Sequence, residues 1–321
     1  MQTLNQYTAA IAKIFVEEKD RHHAHKKASV ILAEMVTNRE VLYDIYRNNL
    51  IKPDFISKMR HYPTLAFEIY LDKNVGTNAN VFMPLPDKNT GISFQSIHHH
   101  GKLLLSTVAA EGPGYESILF KKGYAIDTAS QTASMEIEKY YQFKKGTLEF
   151  IGSDQPHVVF FPEDVSITYT IWAYEKTVGV VQSLKDNAVV RKFKEPIRAL
   201  LNWMNLSKKM GINVIENLDF YPEDGRIKVL KNRIDFKHGD NENFLINVFH
   251  VLQKTGFKDV DFLNNLLKIH PQNKYLLGLV NKLISGEGIG SPFYDYHKNV
   301  AYVNLDKDEI LGIFKPTQNN L

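Results

Sequence analysis

The sequence predicts a mainly β domain, a small barrel or sandwich, set between two helical segments. Three observations carry this. Residues 63–182 alternate short β-rich runs with Gly, Pro, Asn and Asp at intervals of about ten residues. Residues 1–62 hold no glycine and space Ile11, Ile14 and Phe15, then Val30, Leu32 and Met35, at roughly helical intervals. Residues 183–321 are mostly amphipathic again, with Phe193, Ile197, Leu200, Leu201 and Met204 along one stretch.

In the β zone the expected strands are 64–71, 79–83, 91–98, 102–110, 115–120, 137–143, 147–151, 157–161 and 165–174, with Glu111-Gly112-Pro113-Gly114 as a hairpin turn. Beyond residue 183 the pattern predicts a helix over 189–206 and an extended stretch over 226–236. Helices follow over 243–254, 259–269 and 275–285, then a hairpin over 292–303.

Composition narrows the function. Of the 321 residues 44% are hydrophobic and 23% charged, as in a globular protein with a real core. A net charge of +3 gives no compositional reason for nucleic-acid or membrane binding. With no cysteine, disulfides, thiolate metal sites and cysteine nucleophiles are excluded. Ala9–Val16 carries Lys13 and runs into Glu17-Glu18-Lys19-Asp20, unlike an export signal, and no run of apolar residues is long enough to cross a membrane. The expectation is a cytoplasmic protein. The N-terminal helices can pack on the barrel or on a second subunit, so a homo-oligomer is compatible with the pattern.

The chemically informative segment is Ile97-His98-His99-His100-Gly101. Alternate side chains of a strand share a face. His98 and His100 therefore point one way, about 7 Å apart on an ideal strand, and His99 the other. His157 follows Gln155-Pro156 at the head of an apolar run, where its ring can project into a barrel mouth. Three neutral imidazoles suit Fe, Zn, Cu or Ni and leave coordination positions open, as a catalytic site requires. The alternative is that these are polar residues at strand ends. Arg21-His22-His23-Ala24-His25-Lys26-Lys27 reads as a solvated helical face, because its cations would repel a metal. Gly286-Glu287-Gly288-Ile289-Gly290 follows a helix instead of opening one, so it is no phosphate cradle.

H-x-H on a strand with a later His resembles the cupin superfamily. The resemblance implies a double-stranded β-helix (jelly-roll) barrel with N-terminal helices and a mostly helical C-terminal region. The family's glutamate has no close counterpart, since no acid follows until Glu111. Within cupins the segments resemble the thiol dioxygenases, the cysteine dioxygenase family, over residues 64–176. Ser96-Ile97-His98-His99-His100 is similar to that family's S-I-H-D-H, with His99 in place of Asp. The run 102–120 is similar to its hairpin ending in K-E-T-L-F. His157-Val158-Val159 and 165–174 are similar to its H-R-V-E-N and V-S-L-H-L-Y runs.

That resemblance implies Fe(II), with Zn, Ni or Mn as other divalent candidates, and dioxygen plus a small molecule as substrates. Tyr174 falls at the family's active-site tyrosine. Where the family has a Ser-His-Tyr relay, this chain has Thr170, Trp172 and Tyr174, and tryptophan cannot accept a proton. Lys73 is the nearest stand-in for the family's carboxylate-binding arginine. Trp172, Thr170, Tyr115, Glu116 and Lys73 are the expected substrate contacts, with Leu104, Ile118 and Phe160 as further walls. A carboxylate-free substrate fits Trp172 best. A rival reading makes the C-terminal region, with Lys228, Lys231, Arg233 and Lys237, a winged-helix-like module and the barrel a ligand sensor. Its third helix offers only Asn281 and Lys282 to DNA, so nucleic-acid binding is not expected.

Overall fold

The computed structural model describes residues 2–58, 64–85, 91–93, 97–127, 129, 132–175, 217–221, 226–230, 241–291 and 306–314. Four helices open the chain: α1 (Leu4–Glu17), α2 (Arg21–Val36), α3 (Arg39–Leu50) and the single turn α4 (Pro53–Ile56). Each of the first three starts on a side-chain cap. Thr3 and Gln6 form a capping box, Asp20 accepts from His22 N and His23 N, and Asn38 accepts from Glu40 N.

Eleven strands follow: β1 (Thr64–Leu71), β2 (Gly76–Phe82), β3 (Ile97–His98), β4 (Leu103–Glu111), β5 (Glu116–Phe120), β6 (Ala125–Asp127), β7 (Thr132–Ser134), β8 (Ile137–Gln142), β9 (Leu148–Ile151), β10 (His157–Val159) and β11 (Ser166–Tyr174). After residue 183 come β12 (Asn217–Tyr221), β13 (Arg226–Leu230), α5 (Asn241–Lys254), α6 (Val260–Ile269), α7 (Leu276–Ser285) and α8 (Lys307–Ile313). The expected helix over 189–206 and hairpin over 292–303 lie outside the described residues, as does Ser96.

The strands form two main antiparallel sheets, ordered β1-β2-β11-β4-β9 and β13-β12-β3-β10-β5-β8, with β6-β7 as a separate ribbon. Ser117 on β5 donates to Glu149 on β9, so the two sheets face each other. The described strands make two facing antiparallel sheets with flanking helices, and among the described residues these are not joined into the closed barrel expected from the sequence. The second sheet instead grows at the β3 edge, where β12 pairs with β3 and β13 extends the ladder. The described part of the extended stretch, Arg226–Leu230, is therefore paired into the second sheet.

The expected hairpin over 102–120 is also corrected. β4 and β5 do not pair; they lie in different sheets. The chain arches across between them, with Gly112 and Gly114 at φ 84° and 85°. A Cβ on Gly114 would sit 1.4 Å from the Phe143 carbonyl oxygen, so this crossing admits only glycine.

The outer face of the first sheet carries the helices. One continuous core runs from Ile11 and Phe15, through Leu32, Ile45, Val108 and Tyr169, to Val248, Phe249 and Leu263. Packing thus crosses the texture boundaries near residues 62 and 183. Arg47 reaches Asp259 at 2.8 Å, and Arg39 donates to the Thr255 carbonyl, tying α3 to the C-terminal helices. The outer face of the second sheet is covered by α8 through Ile310 and Phe314, packed on Ile97, Ile118, Phe120, Val158 and Phe160.

The histidine-rich helix α2 differs from the expected solvated face. His22, His23, Lys26 and Lys27 are exposed, but Arg21 and His25 are buried. With Ala24, Ala28, Leu32 and Met35 they form the stripe that packs inward, the ordinary 3.6-residue rule overriding local polarity. His25 Nδ1 meets Ser106 Oγ on β4 at 2.9 Å, and the rings of Phe15 and Phe150 close round it. Arg21 donates to the Phe15 carbonyl at 2.7 Å.

Candidate metal centre

Strand pairing explains why three histidines meet. His157 opens β10 and stands directly opposite His98 on β3. Directly opposite residues of a ladder point to the same face, here the space between the sheets. His100 follows two residues after His98, just where the chain turns into β4. The ring centroids are 4.3 Å apart for His98–His157, 4.9 Å for His100–His157 and 5.1 Å for His98–His100. One ligating nitrogen from each ring lies within 4.8 Å of the others, so the three can hold one metal ion.

The electrostatics fit a cation. His98 and His157 are buried and His100 is half-buried. Burial first, and then neighbouring His98 and His100, hold the His157 imidazolium well below the ordinary histidine range. The ring is therefore in its neutral, ligating form at neutral pH. The Gln155 carbonyl faces His157 Nδ1 at 3.3 Å. With Nδ1–H donating there, Nε2 is the ligating atom, a common device for fixing the tautomer of a metal-binding imidazole. The turn that aims His157 is itself held: Asp154, at φ 53°, donates through its N–H to the Gly101 carbonyl, and its carboxylate pairs with Lys102. His99 lies on the other side, where its Nδ1 accepts from Gly101 N at 3.1 Å.

The other sequence-derived residues divide by strand parity. Thr170 and Trp172 share the inward face of β11. Thr170 donates to Thr107 at 3.1 Å, and Trp172 stands across from Gly76, which leaves room for its indole. Tyr174 stands opposite Leu103, at the end where β4 leaves His100. Lys73 is exposed in the turn between β1 and β2. Tyr115 is buried against Phe82 and Phe143, at the end of β5 remote from His157. Glu116 faces outward, where Lys307 of α8 takes its carboxylate at 2.7 Å.

Of the expected walls, Leu104 shares the helix-facing side of Ser106. Ile118 and Phe160 belong to the outer cluster under α8. Each is one residue out of phase. Leu105, Leu119 and Val159 take the inward places, since their ladder partners Trp172, His157 and Ser117 face inward.

The structure adds an inward residue that the sequence reading missed. Glu149 on β9 stands opposite Thr107 and is only 4% exposed. Burial pushes its carboxyl up to about 8, against the lowering effects of Ser117 and Lys139. Its signal was an inverted strand: Leu148 and Phe150 of β9 are the exposed pair, while Glu149 and Ile151 are buried.

No protein-family model matches the chain, and no curated protein matches it. Parts of solved structures are similar. The plu4264 protein from Photorhabdus luminescens is 18% identical over 42% of this chain and 96% of that one, with a TM-score of 0.26. A cupin domain of an XRE family transcriptional regulator from Enterobacter cloacae is 11% identical over 35% and 98%, at 0.24. The DMSP lyase DddQ from Ruegeria pomeroyi is 9% identical over 40% and 53%, at 0.23. This chain spans about half the length of the DMSP lyase structures it matches, at 46% and 53%.

Proposed function

We propose that His98, His100 and His157 bind one divalent metal ion, Fe(II) by preference, and that the chain is a cupin-type non-haem iron dioxygenase acting on a small molecule. The observation that carries this is the convergence of three imidazole nitrogens within 4.8 Å on the inward face of a β-sandwich. Three neutral nitrogen donors would hold the ion and leave part of its coordination open, and the iron, when bound, would supply the redox chemistry for dioxygen and substrate.

The chain's own contribution is positional. The Gln155 carbonyl fixes the His157 ring, and the Lys102–Asp154 pair fixes the turn behind it. On this reading Leu119, opposite His157, and Trp172, packed over Gly76, would wall the inner side. Tyr174, whose strand position lies opposite Leu103 next to the end of the His98–His100 segment, would donate its hydroxyl proton to a ligand there. A proton relay along β11 finds no support, because Thr170 donates to Thr107 and Trp172 stands between it and Tyr174. On this reading only the histidines and Tyr174 carry over from the thiol dioxygenases, and the substrate differs.

The test is oxygen uptake by untagged protein reconstituted with Fe(II), against a panel of small thiols and uncharged analogues. Uptake above that of free iron, lost in Tyr174→Phe by ~10-fold or more, is expected. Bound iron with no uptake on any of them would rule out the dioxygenase and leave the metal centre standing.

One observation favours a second reading, a ligand sensor. Asn217 of β12 pairs directly with His98, so a strand of the C-terminal region is bonded to a ligand strand. Occupancy of the histidines would then be transmitted to β12 and β13. A metal-dependent, salt-sensitive shift of mixed-sequence DNA would support a DNA-binding readout.

A further inference from the structure

Below the histidines, towards the sandwich interior, lies a layer of polar side chains. His157 stands opposite Leu119 on β5, and Ser117 lies two residues on along the same face, about 7 Å away. Ser117 is the hydrogen-bond partner of Glu149, at 3.5 Å. Glu149 stands opposite Thr107; Thr107 accepts from Thr170 at 3.1 Å, and Thr170 accepts from Asn80 at 3.1 Å.

Two members of this interior are poorly partnered. Among the described residues, Glu149 receives only the long bond from Ser117, although a buried carboxyl can take part in several. Thr168, next inward on the same face of β11, has a buried hydroxyl with no partner. Buried polar groups are nearly always satisfied, and those that are not call for an explanation. The cation whose field reaches Glu149, Lys139, is exposed on the edge strand β8, with its Nζ over the Tyr141 ring at 4.0 Å.

We propose that this layer is the far end of the substrate pocket, in which Glu149 hydrogen-bonds an uncharged hydroxyl or carbonyl oxygen of a molecule whose other end reaches the metal. The inference rests on the metal-centre reading above. Its chemistry selects the ligand class. A carboxyl held neutral by burial is both donor and acceptor, and with Ser117, Thr107, Thr170 and Asn80 it offers only uncharged partners. A charged tail would lose its hydration with no counter-ion to replace it.

The experiment is calorimetric titration of zinc-loaded protein with four hydroxamates as probes. Acetohydroxamic acid reports the metal alone. Pentanohydroxamic acid, ω-hydroxypentanohydroxamic acid and glutaric monohydroxamate present apolar, neutral polar and anionic tails of equal length. The hydroxyl tail is expected to bind about tenfold more tightly than either of the others, as one or two net hydrogen bonds imply. Glu149→Leu is expected to remove that preference while leaving acetohydroxamic acid unchanged. Equal affinity for the three tails, or a preference that survives in folded E149L, overturns the proposal. The comparison among tails in the wild type decides it even if E149L does not fold. Failure to bind acetohydroxamic acid at all would instead strike the metal-centre reading, and this extension with it.

Discussion

Replacing His157 by alanine is expected to lower metal affinity by ~100-fold or more, because removing one of three ligands costs at least as much as disturbing a residue that supports a ligand. The folded state should survive. In the metal-free protein three imidazoles crowd one another, with centroids 4.3–5.1 Å apart, and burial, then the neighbouring His98 and His100, depresses the basicity of His157. The metal-free variant should therefore melt within a few degrees of the metal-free wild type. Loaded wild type should melt higher than either, by the linkage term, about 4 kcal/mol when free metal exceeds the dissociation constant a thousandfold. Elemental analysis with melting curves in the presence and absence of chelator reads both effects. A variant that retains its metal would remove His157 from the site.

The second large effect is a stability profile to which two buried groups contribute opposite slopes. Burial, aided by His22 and Arg21, depresses His25 to about 3, and burial raises Glu149 to about 8. The unfolded chain binds the His25 proton more readily than the fold does, so stability is full above about pH 6.5 and falls as the pH drops towards 3. The fold binds the Glu149 proton more readily than the unfolded chain does, so its contribution is full below about pH 4.5 and is lost as the pH rises through 8. Between these unfolded-state values the slopes of these two groups cancel, while His157 and His250, also depressed by burial, cost stability as the pH falls below about 6.5.

The metal-free protein should thus be most stable near about pH 6.5, lose ~2 kcal/mol over the next 1.5 units on the alkaline side through Glu149, and lose stability on the acid side through His157, His250 and His25 together. Glu149→Gln is expected to remove the fall on the alkaline side. His25→Gln, which can keep the bond to Ser106, is expected to make the acid limb shallower. Denaturant titrations at successive pH values measure this. Unchanged limbs in the two variants would mean that neither group carries the profile.

How much of this was legible follows from strand parity and from what hides it. The β zone, the helical flanks and the histidines were readable because alternation and turn residues are local signals. His98, His100 and His157 needed only a strand and a turn to be placed. Glu149 was hidden because Leu148 and Phe150, its apolar neighbours, suggest the opposite face; Phe150 is instead used to cover His25 and His22 of α2. Leu104, Ile118 and Phe160 went astray for a related reason: both faces of these sheets are covered, one by helices and one by α8, so apolar residues occupy both parities. His25 looked solvated because its neighbours in sequence are charged, and only the helix period reveals that it shares a stripe with Leu32 and Met35. The arch at Gly112 and Gly114 imitates a hairpin turn, and the pairing of β12 with β3 is a long-range contact with no local signature.

The central claim is that three histidines hold one metal ion. The most direct measurement is X-ray absorption, with elemental analysis, on untagged protein purified without added metal. The account predicts about one ion per chain whose first shell contains three imidazole nitrogens, lost together in the His98→Ala and His157→Ala variants. A substoichiometric ion, or a full complement that persists in both variants, would contradict it.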